Sequence, residues 1–193
     1  PSDFDTTHQI NANWIFDFPF GQGKRWGSNW NRGVNAILGG WEFSGLTRWT
    51  SGYPFSISTY AFATDYEQDG RAVLIGPAPK TGAFIQADGT PNVFQAGPAA
   101  ASDFRYAYPG EAGQRNNLRG PGYFGTDMSL AKLWSLTESQ SLRFSWDVFN
   151  VTNAVRFDVG SLNQYLLYQP TLGDFTQTLT KPRVMQFSLR YSF

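Results

Sequence analysis

Apolar and polar residues alternate along several stretches of the chain, most cleanly at its end. In Arg183–Phe193, RVMQFSLRYSF, Met185, Phe187, Leu189, Tyr191 and Phe193 share one parity, and Gln186, Ser188, Arg190 and Ser192 share the other. Successive side chains of a strand point to opposite faces, so this segment has an apolar and a polar face. Its length matches the ~9–11 residues of a tilted strand crossing a bilayer. The same period covers His8–Phe20, with Ile10, Ala12, Trp14, Phe16 and Phe18 on one side. From Asn35 it places Ile37, Gly39, Trp41, Phe43, Gly45, Thr47 and Trp49 on one side and continues through Tyr53, Phe55 and Ile57. Further strands are expected within Ala107–Gly122, from Gly125 to Leu136, from Leu142 to Val148 and from Val155 to Val159. The expectation is an all-β antiparallel meander of about seven strands. Pro19–Arg32 reads as a Gly-rich basic turn, Ala61–Arg105 as a long loop with little periodicity, and Ser161–Pro182 as another loop. Lys132 falls on an apolar face, which requires either a side chain that snorkels or a bulge that shifts the register.

The polar faces carry Asp17, Glu42, Arg48, Asp127, Arg143, Asp147, Arg156, Asp158 and Arg190. In a dry core each of these charges would cost several kcal/mol unless paired. Facing a water-filled lumen they cost little, which favours part of a transmembrane barrel with long extracellular loops. Trp and Tyr near the strand ends suit interfacial belts. Alternation also fits a secreted, aromatic-rich β-sandwich that binds polysaccharide, with its apolar faces turned inward.

Composition narrows the chemistry. The 193 residues hold 15 Lys plus Arg and 15 Asp plus Glu, so no basic excess points to nucleic acid. The chain has no cysteine, which excludes disulfides and thiolate metal sites. With 17 Phe, 9 Tyr and 7 Trp, the mean hydropathy is still −0.36, as alternating strands with polar loops would give. No apolar run approaches the ~18 residues of a membrane-crossing helix. The start at Pro1, without an initiator methionine or signal segment, leads us to expect a piece of a longer chain.

Candidate catalytic chemistry is sparse. GQGK lacks the phosphate-loop pattern, because Phe18 and Arg25 stand where Gly and Ser or Thr are required. Asp65, Glu67 and Asp69, followed by Gly70, match the first half of a calcium loop, but Gly76 replaces its closing Glu. These three carboxylates are the one candidate metal set, and we expect a solvated acidic loop there. His8 is the single histidine and no nucleophile motif accompanies it, so neither an enzyme nor a cofactor is expected. Loop aromatics Tyr60, Phe62, Tyr66, Tyr165 and Tyr168 are candidate ligand contacts.

Several blocks together resemble a known family: Asp5 and His8 as DxxH, PFGQGKR, GGWEFSGLTRWTSGYPF, RNNLRGPGYFGTDMSLAKLW, LRFSWDVFNVTN and the final strand ending in Phe. The chain resembles the carboxy-terminal barrel segment of TonB-dependent outer-membrane transporters of the Oar-like, acidobacterial type. The resemblance covers nearly everything except Ala61–Arg105. It implies a 22-stranded barrel in the bacterial outer membrane, a plug domain and TonB box upstream, and a periplasmic carboxy-terminus. It implies outer-membrane lipid, the barrel-assembly machinery and the TonB complex as partners, and uptake of a scarce solute, saccharide or peptide. Phe187, Leu189, Tyr191 and Phe193 match the assembly signal. Under it Phe149–Asn153 is the last periplasmic turn, Thr137–Gln140 a short extracellular turn, and Ala61–Arg105 and Ser161–Pro182 extracellular loops.

Overall fold

The computed structural model describes the backbone of residues 1–63 and 66–193 and the side chains of residues 1–59 and 70–193. Among them the strands are β1 (Gln9–Asp17), β2 (Trp41–Thr50), β3 (Pro54–Phe55), β4 (Ser58–Ala63), β5 (Tyr66–Arg71), β6 (Val73–Leu74) and β7 (Thr81–Ile85). They continue with β8 (Pro91–Phe94), β9 (Phe104–Arg105), β10 (Leu118–Arg119), β11 (Tyr123–Ser135), β12 (Ser141–Phe149) and β13 (Val184–Ser192). One short helix, α1, spans Arg32–Leu38. The chain divides into two compact units, described separately below.

The sheet unit comprises Ile10–Arg48, Phe124–Ala154 and Lys181–Phe193. Its sheet has the order β1-β2-β11-β12-β13. The β11–β12 register runs unbroken from Met128–Val148 to Ser135–Ser141, and β12–β13 from Phe149–Val184 to Ser141–Ser192, both antiparallel. Phe18 N donates to Trp41 O, and Leu133 N donates to Gly40 O at 2.9 Å, continuing the ladder through β2. The alternating segment at the chain end forms β13 in full.

Four expectations are corrected here. First, the alternation from Asn35 does not begin a strand: residues 35–38 belong to α1. The Asn31 side chain accepts from Val34 N at 2.9 Å and caps the helix, whose Val34, Ile37 and Leu38 recur at helical spacing. Second, β2 stops at Thr50 rather than running on to Ile57.

Third, Val155–Val159 is not a strand. Asn150 and Asn153 turn the chain at φ 51° and 48°, Phe157 makes one isolated bridge to Thr178, and Asp158 accepts from Gly160 N to start a 3-10 turn. Removing this strand reverses the turn assignments. Because Ser141 lies opposite Ser192, Thr137–Gln140 sits at the same end of the sheet as the carboxy-terminus. Because Phe149 lies opposite Val184, Phe149–Asn153 opens the connection at the other end. Fourth, no bulge accompanies Lys132, whose row continues directly to Phe144.

The packed unit comprises Pro1–Gln9, Trp49–Tyr123 and Val155–Thr180. It holds the hydrophobic core: Phe55, Ile57, Phe94, Phe104, Leu118, Leu166, Leu172 and Phe175 among others. Each such side chain contributes roughly 1.5–3 kcal/mol on burial. Phe94 packs against Phe55 and Phe104 with ring centroids 6.1 and 6.2 Å apart. The expected structureless loop 61–105 is therefore corrected: it contributes Ala72, Val93, Phe94, Ala100, Ala101 and Phe104 to that core. Asn92 is fully buried with its amide satisfied by Leu172 O, the Asp174 carboxylate and Phe94 N. After Gly52 the chain lies so close to Gly120 that a Cβ would stand 1.8 Å from the Gly120 carbonyl oxygen. That approach directs Pro54–Phe55 to pair with β10.

Candidate functional site

The sheet unit has two unlike faces. On one, Leu142, Phe144, Trp146 and Val148 of β12 stand in register with Tyr191, Leu189, Phe187 and Met185 of β13. Phe187 stacks on both Phe144 and Trp146, at 6.3 and 6.1 Å. No buried apolar cluster covers this face within its unit, where Ala131 is the only buried apolar residue among those described. Phe187, Leu189 and Tyr191 are half exposed or more, and Phe193 beyond the strand is 93 % exposed. On the same face the Trp14 ring lies over Gly45, where a Cβ would come within 2.2 Å of it.

The opposite face is hydrogen-bonded. Ser129 and Ser145 donate to the two Asp147 carboxylate oxygens at 2.5 and 3.0 Å, and Ser145 shares a 2.8 Å bond with Ser188. Arg143 donates to Glu42 at 2.8 Å across β11. Arg190 stands directly opposite Arg143, a like-charge pairing that the Glu42 carboxylate offsets. Asp17 lies 3.8 Å from Lys24, and Arg48 is near the end of β2. Of the charges assigned to this face by sequence, Arg156 and Asp158 are placed elsewhere, in the β12–β13 connection outside any strand.

Lys132 is 2 % exposed. Its ammonium donates to Gly39 O and lies 4.8 Å from the Trp41 ring and 5.2 Å from the Trp134 ring. Trp134 Nε1 donates to Ala36 O and Trp41 Nε1 to Ile37 O. Three donors from one sheet face thus satisfy carbonyls at the end of α1, and the cation complements its negative pole.

The packed unit contains a cleft of about 580 Å³. Phe4, Tyr53, Arg71, Asp158 and Gln164 are among its lining residues, with buried Phe55 also contributing. A clasp fixes its rim. Asp3 accepts from Asn116 Nδ2 at 2.7 Å and Arg115 at 2.8 Å, and Asp5 accepts from Arg119. These contacts, Asn116 first and then Arg115, hold the Asp3 carboxyl below its ordinary pKa. Phe4, between the two clasped aspartates, is 85 % exposed. The Asp3–Asp5 and Arg115–Arg119 partnership was not legible in the sequence, since its members lie more than a hundred residues apart and only their opposite charges hint at it.

The remaining candidates are scattered. Tyr165 and Tyr168 meet edge to face at 6.3 Å around a 3-10 segment and do not line the cleft. The side chains of Tyr60, Phe62 and Tyr66, and the partial calcium set Asp65, Glu67 and Asp69, lie outside the described residues. His8 stacks on Trp49 at 6.4 Å with an interplanar angle of 16°. No helix of the described residues is long and apolar enough to cross a membrane.

A family model for an outer membrane beta barrel domain matches residues 1–186. No curated protein and no solved structure matches the chain. The family match extends across both units, and an antiparallel sheet with one aromatic and one charged face is the construction such a domain requires. The chain belongs to the outer membrane beta barrel domain family.

Proposed function

We propose that the chain forms wall and outer loops of a TonB-dependent transporter of the Oar-like type, which takes up a scarce solute across the outer membrane. The observation that carries this reading is the sheet itself: outside the patch where α1 meets Trp41, Lys132 and Trp134, its aromatic face has no buried apolar layer in its unit, and its charged face is networked. A five-stranded sheet is too small to close, since the smallest such barrels have about eight strands. Further strands of the assembled wall pair with the β1 and β13 edges. The family resemblance supports a 22-strand barrel, with plug and TonB box supplied by other parts of the protein.

In this reading the carboxy-terminal end of the sheet faces the periplasm. Thr137–Gln140 is then periplasmic, and the two long connections, residues 51–122 and 150–183, open to the exterior. Phe187, Leu189, Tyr191 and Phe193 serve the assembly machinery. Asp17, Glu42, Arg48, Arg143, Asp147 and Arg190 line the aqueous side. The protein acts by binding and passage, without a catalytic centre or cofactor.

The test is labelling of the full-length protein with a membrane-impermeant maleimide, in a chain that lacks native cysteine. Ala87→Cys should label on intact cells, and Glu138→Cys only after the outer membrane is permeabilised. The reverse order would overturn the orientation, and absence of cross-linking to the TonB periplasmic domain would overturn the transporter type.

A further inference from the structure

We propose that the cleft of the packed unit binds a neutral, hydroxyl-rich ligand of the oligosaccharide class, with Phe4 as its stacking platform. A side chain as apolar as Phe4 at 85 % exposure is ordinarily loosely held. Here the residues on both sides of it are fastened: Asp3 to Asn116 and Arg115, Asp5 to Arg119, with Asp5 N also donating to Ser2 O at 3.0 Å. The ring is presented at a fixed backbone position without a protein partner, so little ordering entropy remains to oppose stacking.

Next to it the cleft offers polar groups with unspent capacity. Among the described residues, the Tyr53 hydroxyl, the Arg71 guanidinium and the Gln164 amide make no hydrogen bond within the protein. Asp158 uses one carboxylate oxygen on Gly160 N and leaves the other. Donors and acceptors of both kinds therefore converge beside the Phe4, Tyr53 and Phe55 rings. That combination matches the alternating hydroxyls and flat C–H face of a sugar ring.

The charges narrow the class. Arg71 stands against Asp3 and Asp158, so the lining gives a polyanion no net attraction. A peptide would need a free strand edge or an apolar groove. The strand at this cleft, β3, is two residues long, is already paired to β10, and starts with a proline that has no N–H. A volume of about 580 Å³ suits a small ligand, within the ~300–1,000 Å³ typical of such sites.

The inference deepens the transporter reading and rests on it for the ligand's route. The binding itself does not depend on that reading, because detergent-solubilised protein reports it whichever way the cleft faces. The experiment is isothermal titration of the purified full-length protein with maltohexaose, cellohexaose, laminarihexaose and xylohexaose, and with hexagalacturonate and a neutral hexapeptide pool as counter-probes. At least one neutral hexasaccharide should bind. Phe4→Ala should weaken it about tenfold, Gln164→Ala severalfold, and Tyr168→Ala, an exposed aromatic outside the cleft, not at all. No binding by any neutral sugar, binding unchanged in both Phe4→Ala and Gln164→Ala, or binding confined to the anionic sugar or the peptides would overturn it. If sugar binding fails while Ala87→Cys still labels on intact cells, the ligand class is wrong and the orientation stands.

Discussion

Two single residues show how one face of the sheet is built. Gly45 is needed because the Trp14 ring occupies the space a Cβ would take, with a closest approach of 2.2 Å. Gly45→Ala should destabilise the protein by about 1–3 kcal/mol through overpacking, read as a lower urea midpoint of the band that resists detergent unfolding. Lys132 explains a misfit that periodicity alone exposes but does not resolve. It neither snorkels nor marks a bulge; a buried ammonium faces a carbonyl between two indole rings. The sequence shows that a lysine stands on an apolar face, yet its carbonyl partner, Gly39, and one of its two rings, Trp41, lie more than 90 residues upstream, which spacing does not connect.

A third residue-scale feature titrates. Arg105 donates twice to Glu111, at 2.6 and 2.7 Å, and lies 4.2 Å over the Tyr108 ring. Its guanidinium, helped by the Tyr108 N–H, holds the Glu111 carboxyl at about 2. A carboxylate whose folded pKa is depressed contributes stability that is complete above its unfolded value near 4.5 and is lost as pH falls through about 2. Pepsin should therefore spare Tyr106 and Tyr108 at pH 3 and cut there as pH approaches 2. In Glu111→Gln the cuts should already appear at pH 3; equal resistance in both proteins would refute the pairing's role.

At the scale of elements, alternation located the long strands well. β1 and β13 lie within segments read from parity, β2 lies inside its longer expected run, and β11 and β12 overrun their expected segments by one or two residues. Parity failed where two conditions held. Short buried strands such as β8 keep Asn92, Val93 and Phe94 inside together, so no period appears. Conversely Val155, Phe157 and Val159 alternate without a partner strand, because two left-handed asparagines and an Asp158-capped turn commit the backbone first. One false strand was enough to invert the sides of both turns. α1 was hidden behind a chance period-two pattern, and its Asn31 cap lay in a stretch read as a turn. Asn31→Ala should cost about 1 kcal/mol, and since α1 receives Trp41 and Trp134, it should also shift their fluorescence.

At the scale of the molecule, the two units are stabilised by different means. The packed unit carries the aromatic and aliphatic core. The sheet unit has no such core: outside the patch under α1 its aromatic face carries no buried layer in its unit, while the opposite face is networked by hydrogen bonds. That division is what family membership as an outer membrane beta barrel domain leads one to expect, and it departs from a secreted sandwich, which would cover its aromatic face with a second sheet.

Which medium each face meets is most directly measured by spin labels placed one at a time along β12 of the membrane-embedded full-length protein. Oxygen accessibility should peak at positions 142, 144, 146 and 148, and that of a water-soluble nickel complex at 143, 145 and 147. Loss of the two-residue period, or the same period with the phases exchanged, would contradict a sheet that turns its aromatics to lipid and its ionised groups to water.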